Sequence, residues 1–332
     1  MTREAFGQLP DGTIVERVTL RGGGLTARVM TWGAVVQDLR MQGHEPPLVL
    51  GFDRFEDYPA HSRYFGAIAG RCANRIAGAR FELDGQEFRL DPNFLGKHHL
   101  HGGSLGTGKR PWRIADLGES HVTLAIELAD GEMGYPGAMR VQATYALPGE
   151  GVLDIRIRAE TDRPTLCNFA PHSYFNLSGE PDILNHSLRI AADHYLPVDA
   201  ELIPTGQVAA VEGTDFDLRA GVRLGDVCAR LRLDHNFCLS DRRLPLREVA
   251  ELSAGALRMG IRTTEPGLQV FDAAPFDLPV PGLGGRRIGP HAGLAIEPQV
   301  WPDAIHHPGW PQAVLRPGET SEQHSQFIFE RS

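Results

Sequence analysis

The chain has 332 residues, 42% hydrophobic and 23% charged, with a formal net charge of −9. These are ordinary globular values, so global disorder and fibrous repeats are excluded. The acidic balance, with no basic run, makes nucleic acid a poor partner, and no apolar run reaches the ~18 residues of a membrane span.

Gly 38 and Pro 24 supply more punctuation than usual, which favours many short strands over long helices. In chain order, the opening MTREAFGQLPDG lacks an apolar signal core, so a cytoplasmic setting is expected. Residues 79–90 read as a hairpin, with Phe81 and Leu83 before an Asp84-Gly85 turn and Phe88 and Leu90 after it. Residues 122–128 and 139–145 alternate apolar and polar positions, and the DGEMGYPG between them is rich in turn formers. Residues 152–160 place Leu153, Ile155, Ile157 and Ala159 on one face. Asp154, Arg156, Arg158 and Glu160 take the other, predicted to be wet. Residues 226–233 could form a short helix, and HSQFIFE near the C-terminus is a further strand. No fixed-period repeat, linker or composition shift divides the chain. One mostly β domain over residues 1–332 is expected, a large antiparallel sandwich.

Several motifs resemble chemistry but lack its context. Gly103–Lys109 fits a phosphate loop, yet Arg110 stands where Ser or Thr should bind magnesium, and Pro111 follows where a helix should run. Gly102–Gly106 fits a serine-nucleophile elbow, but the same loop offers no helix after Ser104. In a strand, His99 and His101 would share a face as metal ligands do. No carboxylate follows within the next residues, so no metal is assigned. His306-His307 reads as a solvated loop pair, and the four scattered cysteines as reduced thiols. The sequons at Asn176 and Asn185 are expected to be idle without a secretory route.

Eight segments, in order along nearly the whole chain, resemble the aldose 1-epimerase family. They are GRCANRIAGARFELDG (70–85), HLHGG (99–103), DGEMGYPG (130–137), PHSYFNLSG (171–179), HYLPVDAELIPTG (194–206), LDHNFCL (233–239), TTEPGLQVF (263–271) and IEPQVWPDA with LRPGET (296–320). The resemblance implies a β-supersandwich with an open sugar cleft. It implies interconversion of the α and β anomers of a free aldose such as galactose or glucose. That chemistry needs two opposed titratable groups and no metal, nucleotide or other cofactor. By resemblance Glu297 is the base at O1, His172 the acid at O5, and His101 a second histidine near O5. Asn74, Arg75, Asp234 and Gln269 match sugar contacts, Tyr174 is expected to line the cleft, and Arg71 is a further neighbour. Gly102 and Gly103 are expected to let the backbone turn tightly beside the sugar.

The chain departs from the family at Val270–Ala274, at Ser104–Pro111 and at Pro298, which puts the preferred sugar in doubt more than the reaction. A non-catalytic sugar binder on the same scaffold, an epimerase of modified or phosphorylated sugars, and a metal enzyme built on His99 and His101 stand as alternatives. The expected partner is a small sugar, with the protein a monomer or weak homodimer.

Overall fold

The computed structural model describes residues 2–331. Three antiparallel sheets form the frame. A four-stranded sheet takes Thr2–Gln8, Ile14–Gly22, Leu25–Met30 and Val35–Met41 in sequence order. A nine-stranded sheet runs in the order Arg113–Leu117, His121–Leu128, Met139–Ala146, Val152–Thr161, Ser321–Arg331, Leu257–Thr263, Arg247–Ala254, Ser187–Ile190 and Val222–Arg223. The C-terminal strand thus sits in the middle of that sheet. A six-stranded sheet runs Tyr174–Phe175, Leu294–Gln299, Gly267–Phe271, Asp234–Cys238, His194–Leu196 and Ala209–Ala210.

The main core draws side chains from all three sheets, including Val18 and Leu20 from the first, Val141 and Ile155 from the second, and Leu268, Val270, Leu294 and Ile296 from the third. Those last four matter for the site. They occupy alternate positions on two neighbouring strands, so the residues between them face the other way. The residues between are Gln269, Phe271, Ala295 and Glu297. Burial of one apolar face therefore fixes which side chains the other face displays.

The sequence expectations for strands 122–128, 139–145, 152–160 and 324–330 correspond to observed strands one to four residues longer. The hairpin forms as Arg80–Leu83 and Gln86–Arg89, with Leu83 opposite Gln86. Asp84 and Gly85 have φ of 51° and 77°, the left-handed pair that a two-residue hairpin turn requires. Two expectations need correction. The helix is only Leu224–Cys228, because the chain from Asp234 onward is drawn into the six-stranded sheet with partners on both sides. Asp154 is buried, not wet, because His324 and Gln326 on the neighbouring strand bond its carboxylate. Among the described residues, no helix is long and apolar enough to cross a membrane.

Candidate active site

Strand register assembles the site. Asn236 pairs with Gln269, and Gln269 with Glu297. One step along, Asp234 pairs with Phe271, Phe271 with Ala295, and Ala295 with Tyr174. Continuing the last pairing by two residues sets His172 opposite Glu297. Their side chains do meet, with His172 Nε2 3.4 Å from Glu297 Oε1. The backbone of His172 is pinned separately: its N–H donates to Ala67 O and its C=O accepts from Gly66 N–H.

Both groups are buried, at 4% and 2% exposure. Burial pushes the His172 imidazole down to about 4 and the Glu297 carboxyl well up, the latter helped by the negative charge of Asp234. Each shift disfavours the charged form. Burial therefore works against imidazolium beside carboxylate and favours the uncharged pair. His172 Nδ1 and Glu297 Oε2 have no protein hydrogen-bond partner.

His101 completes the group, its ring 5.2 Å from that of His172. Its Nδ1 accepts the Asn74 backbone N–H at 3.1 Å, while the His101 backbone N–H donates to Asn74 O at 2.9 Å. Asn74 and His101 both have positive φ, 60° and 50°, which makes this two-bond clip possible. The clip decides the tautomer. Nδ1 is an acceptor, so the proton of neutral His101 lies on Nε2, and His101 is a fixed donor. Burial and the neighbouring His172 also hold its basicity well below normal. His101, His172 and Glu297 lie close enough to grip a metal ion. His101 could offer Nε2 to a metal only by giving up the Asn74 bond.

Opposite them, Arg75 Nη2 donates to Asp234 Oδ2 at 3.1 Å and Gln269 Nε2 to Asp234 Oδ1 at 2.6 Å. Arg75 also lies over the Phe94 ring. Asn74 Oδ1 accepts from Arg75 N–H at 2.9 Å. The result is a cleft of about 640 Å³ lined by Asn74, Arg75, His101, His172, Tyr174, Asp234 and Glu297, a volume within the usual ~300–1,000 Å³ of small-ligand sites.

Two sequence expectations land elsewhere. Gln269 sits behind Asp234 and orients it instead of lining the cleft. Arg71 points away altogether. Its Nη1 donates to Pro136 O and Gly137 O, and its guanidinium lies over Tyr135, so it ties the 130–137 turn to the neighbouring loop. His99 and His101 do not share a strand face: the strand is only His99–Leu100. His99 is held between Asp91 O and Tyr135 OH. The Gly-rich loop is structural, with Thr107 N–H and Oγ1 bonded to Gly70 O and Ile68 O. Gly102 has φ of 83°, and a Cβ there would lie 1.8 Å from Gly70 O, so a side chain is excluded. His306 is exposed as expected, but its Nδ1 is bonded to Asp303.

Sequence reasoning missed Tyr64, whose ring packs on His101 at 4.6 Å and His172 at 5.8 Å between centroids. It also missed Phe276, which joins Phe271 and Tyr174 in an aromatic wall. The only signal for either was an aromatic residue in a loop.

The sequence pattern of the family described as aldose 1-epimerase matches residues 16–327. The chain belongs to the aldose 1-epimerase family. Membership makes it an isomerase. It is 41% identical to galactose mutarotase of Rattus norvegicus over 340 residues, covering 99% of this chain and 98% of that one. It is 36% identical to aldose 1-epimerase of Escherichia coli over 345 residues, covering 99% of each. Among solved structures it resembles galactose 1-epimerase from Lactobacillus acidophilus, at 27% identity and a TM-score of 0.86 over 100% of this chain and 98% of that one. An aldose epimerase homologue from C. elegans gives 28% and 0.89 over 95% and 98%. These two solved structures share the fold described above.

Proposed function

We propose that this protein interconverts the α and β anomers of a free aldose such as galactose or glucose through the His172–Glu297 pair. The observation that carries the reading is the buried 3.4 Å contact between an imidazole and a carboxyl group at a polar cleft. O1 and O5 of a cyclic sugar are both bonded to C1. One bound sugar can therefore meet both groups at once.

Ring opening starts from imidazolium and carboxylate. Glu297 takes the proton of the C1 hydroxyl, C1=O1 forms, the C1–O5 bond breaks, and O5 takes the proton of His172. The pair ends as neutral imidazole and carboxylic acid, the form that burial favours, facing an aldehyde. Rotation about C1–C2 and closure on the other carbonyl face return both protons. No redox partner or cofactor is required. The fixed Nε2–H of His101 donates toward O5 and steadies the charge that develops there. Arg75, Asp234 and Asn74 hold the remaining hydroxyls, with Gln269 orienting Asp234, and Tyr174 lines the cleft. A non-catalytic sugar binder would have no use for a buried pair sharing one proton. A cytoplasmic setting, a single domain over residues 1–332 and a monomer or weak homodimer accompany this reading.

Polarimetry on freshly dissolved α-D-galactose and α-D-glucose tests it. The expected result is an approach to equilibrium far faster than the spontaneous one. An unchanged rate on every common aldose overturns it.

A further inference from the structure

Six carboxylates among the described residues are buried: Asp38, Asp154, Glu265, Asp272, Glu297 and Asp303. Asp38 is paired with Arg40 at 2.8 Å, Asp154 with His324 at 2.6 Å, Glu265 with Arg243 at 2.8 Å and Asp303 with His306 at 2.7 Å. Glu297 belongs to the candidate active site. Asp272 is the exception. Among the described residues no lysine or arginine pairs with it, and the nearest basic atom, His291 Nδ1, stands 4.0 Å from its Oδ2. A buried carboxylate without a close countercharge is costly. Beside the same oxygen lies Cys228, with Sγ 3.7 Å away. The sulfur, a carboxylate oxygen and a ring nitrogen of His291 all fall within 4.8 Å of one another.

Three separate segments bring these groups together. Cys228 closes the short helix Leu224–Cys228, Asp272 follows the strand Gly267–Phe271, and His291 comes shortly before the strand Leu294–Gln299. Asp272 is held firmly. Its N–H donates to Leu233 O, and its carboxylate oxygens accept from the Leu233 and Ala274 N–H groups. The His291 backbone is pinned on both sides, its N–H donating to Ala273 O and its C=O accepting from Ile183 N–H. Cys228 and His291 are both partly exposed, so an ion can reach them from solvent.

Thiol, imidazole and carboxylate are a ligand set for a borderline-soft ion such as zinc, whereas magnesium and calcium take oxygens. Tetrahedral zinc with ordinary bond lengths holds its ligand atoms roughly 3.3–3.6 Å apart. The separations of 3.7 Å and 4.0 Å already approach that spacing. Nδ1 of His291 lies 3.2 Å from Asp272 O, and moving its proton to Nε2 frees it as a ligand. We infer that Cys228, Asp272 and His291 bind one zinc-class divalent cation, with water as the fourth ligand. Binding forms a sulfur–metal bond and releases the Cys228 thiol proton to solvent. The ion supplies the countercharge that Asp272 lacks and ties the helix end, the strand and the loop together. Asp272 also lines the cleft, so the ion braces that wall. The proposed reaction uses none of these three side chains, so its rate does not depend on the ion.

Cobalt is the probe, because a thiolate–cobalt bond gives a near-ultraviolet charge-transfer band that nitrogen and oxygen ligands do not give. An equimolar amount added to chelator-stripped protein should produce the band, and excess zinc should abolish it by displacement. Cys228→Ser removes the band, and His291→Ala lowers cobalt affinity by about tenfold or more. Cys238→Ser, at the other partly exposed thiol, changes neither. Zinc in excess raises the Tm of the unaltered protein by about 4 °C. The Tm of Cys228→Ser, measured against its own metal-free value, rises much less. In the unaltered protein zinc shields Cys228 but not Cys238 from alkylation, a measurement by mass spectrometry that needs no variant to fold. Absence of the band or of the shielding, or a band that survives Cys228→Ser, overturns the inference. So does zinc that binds without a thiolate band and slows mutarotation, which places it at His101, His172 and Glu297 instead.

Discussion

Two histidine–carboxylate pairs of this protein, each with a buried carboxylate, behave in opposite ways. Asp154 on the nine-stranded sheet accepts His324 Nε2 at 2.6 Å, Gln326 Nε2 at 2.7 Å and Arg156 Nε at 3.1 Å. Burial alone would raise its pKa, but the bonds from His324 and Gln326 outweigh it and the net shift is downward. Glu297 on the six-stranded sheet has only the 3.4 Å approach of His172 and one oxygen without a partner, and its shift is strongly upward. Same chemistry, different satisfaction: a fully bonded carboxylate is locked as an anion and serves structure. An under-bonded one is pushed toward its protonated form and is suited to exchanging a proton.

The comparison is broken most severely by removing one member of the proposed catalytic pair. Glu297→Gln should lower the mutarotation rate constant about 10³-fold, and His172→Gln comparably. Because the two share one proton, the double variant should be scarcely slower than either single one, as polarimetry of all three would reveal. A multiplicative loss would mean the residues act independently.

On the structural side, Asp154→Asn should leave turnover intact and reduce stability by about 2 kcal/mol, read from denaturant midpoints. The sign of its pH dependence follows from the lowered pKa. The contribution of Asp154 is present above its unfolded value near 3.8 and is lost as pH falls through the lower folded value. The unaltered protein should thus lose this increment only in strong acid, and the difference between variant and parent should vanish there.

A subtler expectation concerns the activity profile. The active pair holds one proton. Burial resists the second proton, so the acid limb should fall toward the value of about 4 for His172 rather than near 6.5. Burial equally resists loss of the last proton, which carries the plateau well past the ordinary carboxylate range. An acid limb centred near 6.5 would show that solvent reaches the pair. The smallest effect is expected from metal removal. With Nε2–H of His101 fixed by Asn74, exhaustive chelation should not change the rate.

The sequence revealed the frame where alternation was clean. Val152–Thr161 and Met139–Ala146 are strands whose apolar faces must be covered, and nothing competes with that. It also pointed to His172 and Glu297, which the structure brings together, through the resemblance of PHSYF and IEPQ to a known family. It failed where long-range contacts decide direction. Arg71 and Arg75 lie four residues apart in one motif, yet one guanidinium turns to the carbonyls of Pro136 and Gly137 and the other to Asp234. Periodicity carries no information about either partner. Asp154 looked solvent-facing because its strand alternates, and His324 and Gln326, which bond it, come from the neighbouring strand. Tyr64 and Lys109 come from loops, where spacing has no period to read.

The pairing of Gln269 with Glu297, extended through Tyr174 to His172, has a consequence for how this enzyme can change. Adjacent strands sit about 4.8 Å apart whatever their sequence. The separation of acid and base is therefore a property of the sheet, as invariant as a ruler. Much of the rest of the cleft wall, including Tyr64 and Phe276, hangs from loops, which accept insertion and substitution freely. Lys109 can be exchanged, or the aromatic wall at Phe276 rebuilt, without moving either proton donor. A lineage with this scaffold can change its diet while keeping its reaction.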